Sequence, residues 1–364
     1  MPSDVGHCRS QAARGAGIVT CLLAGRSLFH YVITLLLLVA PAVGQSLPEK
    51  VARWLTPQQW TKQRNKPVVS LGKTGDFDDT HIFAPFVGKE GGHYFLWYPG
   101  SRGTVADRVF RLGLATSEDG VEFQKTTDNP VLEVGDGQRS ILTPTVLRET
   151  DGTLIRENGK LRMWFTAADL HARPAPHILH QVTGDAPGRW GKPSPPLLRG
   201  CYAPTVVKDG DVYRMWYTDV TVDRWLIRHA QSKDGTNWQV TEKPVLSVDQ
   251  FWEDRLLVYP TVVKADGVFL MWYSSYWWWS GEDGPRKTAI GFAVSEDGLL
   301  WHKHPNNPVL RPDPALPWES HFNSSESVIR LPDGSWRIWY GGRKDPPWVN
   351  KYFSINTATW EGRR

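Results

Sequence analysis

Apolar residues in this chain gather in short runs bounded by Gly, Pro and Asp. Five of the runs centre on a tryptophan: YFLWYPG (Tyr94–Gly100), LRMWFTA (Leu161–Ala167), YRMWYTD (Tyr213–Asp219), FLMWYSS (Phe269–Ser275) and WRIWYGG (Trp336–Gly342). Runs this short and this rich in aromatics read as strands. The central residues Trp97, Trp164, Trp216, Trp272 and Trp339 stand 52 to 67 residues apart. That period is near the one expected of four-stranded propeller blades.

Each tryptophan run sits inside a larger repeat. Before it comes IFAPFV (Ile82–Val87), LTPTVL (Leu142–Leu147), YAPTVV (Tyr202–Val207), VYPTVV (Val258–Val263) or SSESVI (Ser324–Ile329), four of them with Pro at the matching place. After it comes a strand ending in a DG turn signal, as in RLGLATSEDG (Arg111–Gly120), LIRHAQSKDG (Leu226–Gly235) and AIGFAVSEDG (Ala289–Gly298). Last comes an aromatic followed by Pro and two aliphatics: Phe123 with NPVL, Trp238 with KPVL and Trp301 with NPVL, with Trp190 and PPLL as a degenerate version. With these elements as strands A to D, repeats one to four are complete and the fifth lacks D. The missing D matches WTKQRNKPVV (Trp60–Val69), which has no blade of its own. The expected fold is therefore all-β: a five-bladed β-propeller closed by an N-terminal strand that completes the C-terminal blade. Such closure removes exposed sheet edges. The B-strand tryptophans are expected to pack between blades.

Composition refines this picture. A formal charge of +4 on 364 residues, with no basic run, gives no nucleic-acid footprint. Residues 1–44 read as a signal peptide, with an uncleaved N-terminal anchor as the alternative: Arg9, Arg14 and Arg26, then the apolar LFHYVITLLLLVA (Leu28–Ala40), then AVG before Gln45. The domain expected is then 45–364, secreted or periplasmic, monomeric, and without a membrane association beyond the signal segment. Cys8 and Cys21 lie in the signal, so Cys201 stands alone and is read as a small buried strand residue.

In a propeller, segments entering A strands and leaving B strands share one face around the axis, where a ligand would meet them. Those segments supply Asp78, Asp79, His81, Arg139, Glu253, Asp254 and Glu319, with Arg102, Asp169, Asp219, Trp277, Trp278 and Arg343 leaving B strands. Carboxylates, His, Arg and clustered Trp suit a neutral polyhydroxylated ligand, whose flat faces stack on aromatic rings. FDD, WED and WES recur at one place in the repeat, so their acids also fit a turn-stabilising role. Glu326 breaks the repeat by placing a carboxylate where four blades have Pro, and burial in a narrow channel would raise its pKa. The SEDG and SKDG segments are similar to the Asp-box of sialidases but are one residue short, and read as turns.

Together, P-[TF]-V, Y-x-M-W-Y, S-x-D-G-x-x-W and N-P-V-L resemble the five-bladed propeller glycoside hydrolases, the group around families 43, 32, 62 and 130. The resemblance covers nearly the whole chain after the signal. It implies a carboxylate pair and a third acid reached from the channel, with carbohydrate as partner and polysaccharide degradation as the activity. In those families an Asp precedes the first A-strand Pro. Here Ala84, Thr143, Ala203 and Tyr259 precede Pro, and none transfers a proton. The acids expected instead are Asp79 as base or nucleophile, Glu326 as acid and Asp219 as third acid. Asp78, His81, Arg102, Arg139, Asp169, Trp277, Trp278 and Arg343 are expected to contact substrate. No cofactor is required, although a channel Ca²⁺ beside His81 fits the resemblance. The alternatives are a glycan-binding propeller without turnover and a phosphorylase with a phosphate pocket built from Arg102, Arg139 or Arg343.

Overall fold

Each tryptophan run forms the second strand of an antiparallel sheet in the computed structural model, which describes residues 47–104, 106–135, 137–277, 287–344 and 354–362. The expected signal segment and Trp278 lie outside the described residues. In blade 1, strand A is split into His81–Ile82 and Phe86–Glu90, followed by B (His93–Ser101), C (Arg111–Ser117) and D (Gln124–Lys125). Blade 2 comprises A (Ser140–Val146), B (Leu161–Ala168) and C (His177–Ala186), with Arg189–Trp190 and Leu198–Arg199 both pairing to C. Blade 3 runs Cys201–Asp209, Val212–Asp219, Leu226–Ser232 and Gln239–Val240. Blade 4 runs Asp254–Ala265, Val268–Trp277, Lys287–Ser295 and His302–Lys303.

Blade 5 takes A (Phe322–Arg330), B (Trp336–Arg343) and C (Ser354–Trp360) from the end of the chain and its D strand from the beginning. Thr61 pairs with Thr359, Lys62 with Ala358 and Val69 with Ile355. The A strands touch in succession round the axis, blade 5 meeting blade 1. A short helix, Glu49–Ala52, continues into a 3₁₀ turn and sets Trp54 against Trp336 and Trp360 with centroids 6.0 and 6.3 Å away. Among the described residues no helix is long and apolar enough to cross a membrane.

The B-strand tryptophans are fully buried and join neighbouring blades. The indole N–H of Trp97 donates to Pro187 O (2.8 Å), Trp164 to Gly235 O (2.7 Å), Trp216 to Gly298 O (2.8 Å) and Trp339 to Gly120 O (2.8 Å). Each acceptor lies in the C-to-D turn of the next blade. Trp272 has no such partner. Its next blade is blade 5, where C and D come from opposite ends of the chain and no covalent turn joins them. The DG turns thus serve the scaffold: Asp119 Oδ1 accepts from the N–H groups of Val121 and Glu122, both at 2.8 Å, and Gly120 follows at φ 74°. A side chain at Gly120 would be strained and would press on Trp339.

Candidate functional site

One residue of every A strand adopts a left-handed conformation: Ala84 (φ 44°), Thr143 (40°), Ala203 (50°), Tyr259 (55°) and Ser325 (57°). In blades 2 to 5 the A–B register slips at that point. Such bulges re-aim side chains, and each left-handed non-glycine residue costs about 1–3 kcal/mol, a kind of strain that collects at functional sites. The five positions form a ring round the axis and divide the channel in two.

Above the ring lies a cavity of about 310 Å³, at the small end of the ligand-pocket range of roughly 300–1,000 Å³. One wall is aromatic: His177 meets Tyr202 at 5.0 Å and Trp225 at 6.3 Å, and Tyr202 meets Tyr259 at 5.4 Å, with their hydroxyls 2.7 Å apart. Opposite, His81 stacks on Phe110 (6.0 Å), Phe83 abuts Phe110 (5.0 Å), and the Arg343 guanidinium lies 4.1 Å from the Phe322 ring centroid. Arg108, Tyr276, Thr288, Ser324 and Ser325 add to the polar lining, and among the described residues none that lines the cavity is acidic. The Nδ1 of His177 donates to Ala175 O (3.0 Å), which leaves the lone pair on Nε2. Burial lowers the pKa of this imidazole below its ordinary 6.5, so the ring is neutral at pH 7.

Below the ring a space of about 30 Å³ is lined by the A-strand prolines, Thr143, Thr205, Thr261 and Glu326, and shares Tyr259 and Ser325 with the cavity above. That is room for one water molecule. Glu326 is 5% exposed. Its Oε2 accepts from Ser274 Oγ (2.8 Å), while Oε1 has no partner. Burial raises its pKa to about 8, so the carboxyl is protonated at neutral pH. Farther down, Arg148 donates to Val87 O and Val328 O (2.8 Å for the latter), tying together blades 1, 2 and 5.

The other expected acids do not reach this cavity. Asp78 is buried, accepting from Tyr98 OH (2.8 Å) and pairing with Lys125 (2.6 Å). Asp79 accepts from the N–H groups of Gly75 (2.8 Å) and Gly103 (3.1 Å) and from Thr80 Oγ1 (2.8 Å), so it braces a loop. Asp219 is held by Arg228 Nε (2.8 Å) and by the N–H and hydroxyl of Thr221 (2.9 and 2.6 Å). Asp169 caps a turn by accepting from His171 N (2.9 Å). Arg102 is exposed and Arg139 lines a different groove, so of the three arginines offered for a phosphate pocket Arg343 is the one at the axial cavity. Of the expected contacts, His81 and Arg343 line the cavity and Glu326 lies beneath it. Trp277 ends strand B of blade 4. Cys201 is buried at the start of strand A of blade 3, its thiol pushed up by burial. Among the described residues no three His, Cys, Asp or Glu gather as metal ligands.

Sequence reasoning missed Arg108, His177, Tyr202, Trp225 and Tyr259. Arg108, His177 and Trp225 precede or open C strands, and those segments emerge on the same face as the ones that were read. Tyr259 did carry a signal, being the one bulky residue among the four that precede an A-strand proline.

No protein-family model matches the chain. An uncharacterized protein of Mycobacterium tuberculosis is 26% identical over 248 residues, covering 64% of this chain and 77% of its own length. A glycosyl hydrolase from Bacteroides ovatus superimposes with TM-score 0.65 at 17% identity, covering 88% of this chain and 97% of the other. The chain has the fold of the β-propeller glycoside hydrolases. A second similar structure comes from GH130, a family of mannoside phosphorylases that contains glycoside hydrolases targeting β-1,2 mannosidic linkages in Candida mannan. It has TM-score 0.61 and 16% identity, with 86% and 95% coverage. An N-acetylgalactosamine deacetylase from F. plautii, solved with blood group B trisaccharide, also resembles it (TM-score 0.58, 14% identity, 82% and 95% coverage). The fold therefore hosts more than one chemistry, and activity must be argued from the site.

Proposed function

We propose that the axial cavity takes a sugar unit and that the protein is an exported glycosidase in which Glu326 supplies the proton to the leaving glycosidic oxygen. One observation carries this reading: a buried carboxyl group, protonated at neutral pH, stands under an aromatic, sugar-sized cavity at the one A-strand position where four blades have proline. Aromatic rings on one side suit the apolar face of a sugar, and Arg, His, Tyr and Ser suit its hydroxyls. The Glu326 proton passes to the leaving oxygen through the small space under Ser325 and Tyr259. A water adds to the anomeric carbon as that bond breaks, and His177 Nε2 is a neutral group on the wall that can take its proton. Burial pushes the two groups in opposite directions, so the acid is protonated and the base neutral together, as acid–base catalysis requires.

The test is a panel of aryl glycosides and polysaccharides offered to wild type, Glu326→Gln and His177→Ala. Glu326→Gln is expected to lower kcat by about 10²–10⁴-fold while sugar binding is kept. The kcat of wild type should fall on the acid side below pH 6.5 as His177 protonates, and on the alkaline side near pH 8 as Glu326 ionises. Equal activity in wild type and Glu326→Gln would remove Glu326 from the mechanism. The absence of an acid among the described residues of the cavity wall favours a second reading, glycan binding without turnover. Sugar binding by wild type with no product across the panel would decide for it. Export would be checked by sequencing the N-terminus of the protein recovered outside the cell, with Gln45 expected first, and the monomer by light scattering.

A further inference from the structure

Three blades share a buried plug that blade 2 lacks. In blades 1, 4 and 5 an aromatic residue and an acid enter ahead of strand A: Phe77–Asp78, Trp252–Glu253 and Trp318–Glu319. The acid accepts from the tyrosine after the B-strand tryptophan, at 2.8 Å (Tyr98), 2.7 Å (Tyr273) and 2.6 Å (Tyr340). It also pairs with a D-strand lysine: Lys125, Lys303 or Lys62. The C-strand residue facing that tyrosine is Gly113, Gly291 or Asn356. Blade 3 fills the corresponding place with its own Asp219–Arg228 pair, Arg228 facing Tyr217.

Blade 2 replaces every part of this arrangement. Phe165 stands for the tyrosine and faces His180 on strand C. Pro193 takes the place of the lysine, since the next residue, Ser194, donates to Gln181 O (2.7 Å) as Thr126 does to Leu114 O (3.0 Å). The entering segment GDGQRS (Gly135–Ser140) has no aromatic. The result is a groove of about 820 Å³ lined by Phe165, His180, Pro193 and Ser194, with Arg139 and Lys192 at its sides. Glu133, its acidic residue among those described, is already bonded to Arg111 (2.8 Å). His180 is 5% exposed and stacks on Phe165 at 5.8 Å. Its Nδ1 donates to Ser194 O (2.8 Å), and its Nε2 has no hydrogen-bond partner.

We propose that this groove is a second binding site, separate from the axial cavity, for a ring-bearing hydroxy-carboxylate, either a uronate sugar or a hydroxyaryl acid. The ligand replaces the missing plug in kind. Its ring takes the place of the Phe77 or Trp252 side chain, and its carboxylate meets Arg139 and Lys192 as the plug acids meet lysine. A hydroxyl donates to His180 Nε2. Burial and the nearby Arg139 charge keep that imidazole neutral, so Nε2 can accept.

Calorimetric titration of the full protein with methyl galactopyranosiduronate, with 4-hydroxybenzoate and with neutral methyl galactopyranoside tests this. Binding of the uronate identifies a sugar ligand, and binding of 4-hydroxybenzoate alone an aryl acid. Either should weaken about tenfold in Arg139→Gln, the loss of one charge-assisted hydrogen bond, and also in His180→Phe, while Tyr202→Phe in the axial cavity leaves it unchanged. A difference in chemical shift confined to blade 2 would confirm the place even if His180→Phe folds poorly. Three results would each overturn the proposal: no binding of either acid at millimolar concentration, equal binding of the neutral sugar, or binding lost in Tyr202→Phe but kept in Arg139→Gln.

Discussion

Blades 4 and 2 are built from the same repeat, yet one is sealed and the other open. In blade 4 Glu253 lies fully buried between Tyr273 and Lys303, with Trp252 covering Gly291. In blade 2 the same place is a groove with a half-satisfied histidine at its base. The axial ring repeats the lesson, since four A strands carry proline beneath the ring and the fifth carries Glu326. Acids that recur with the repeat hold blades together. Chemistry is to be sought where the repeat breaks.

A graded set of substitutions sharpens that contrast. Glu253→Ala removes the buried acceptor shared by Tyr273, Lys303 and the N–H groups of Asp249 and Gln250, and is expected to cost about 3–5 kcal/mol, read as a lower denaturation midpoint. Asp219→Asn should cost about 1–3 kcal/mol by unpairing Arg228 while leaving kcat unchanged. A fall in kcat larger than the fall in folded protein would return Asp219 to the mechanism. Asp79→Ala releases two loop N–H groups and should cost about 1 kcal/mol, again without a change in kcat. Arg102→Ala should change stability by less than about 0.5 kcal/mol and leave sugar binding intact. Glu326 offers a complementary readout in pH. Its folded pKa is raised from 4.5 to about 8, so its contribution is full below pH 4.5 and is lost as pH rises through 8. Glu326→Gln should flatten this trend, making the variant more stable than wild type at pH 9 when unfolding is followed at a series of pH values.

Much of the fold was legible because it is written as repetition. Tryptophan spacing gave the number of blades, and the orphan WTKQRNKPVV gave the clasp. Lys62 in that segment does for Glu319 what Lys303 does for Glu253, although the two partners lie at opposite ends of the chain. The site was legible only in part. Asp78 and Asp79 are neighbours in sequence, yet one is sealed against Tyr98 and the other braces a loop, and neither faces the axis. Arg108, His177 and Trp225 belong to segments entering C strands, and nothing local marks them as cavity walls.

The sequence alone determined which strands exist, how many blades they make and which segment closes the last one. These follow from hydrophobic period and turn chemistry, which act between near neighbours and leave their mark in every copy of the repeat. Only the tertiary structure decided which side chains meet at the axis, which acid stays protonated and which corner of a blade is left open. A side chain's neighbours and its exposure to water are set by chain segments far away in sequence, and the pKa of Glu326 and the vacancy beside His180 exist only once those segments are packed.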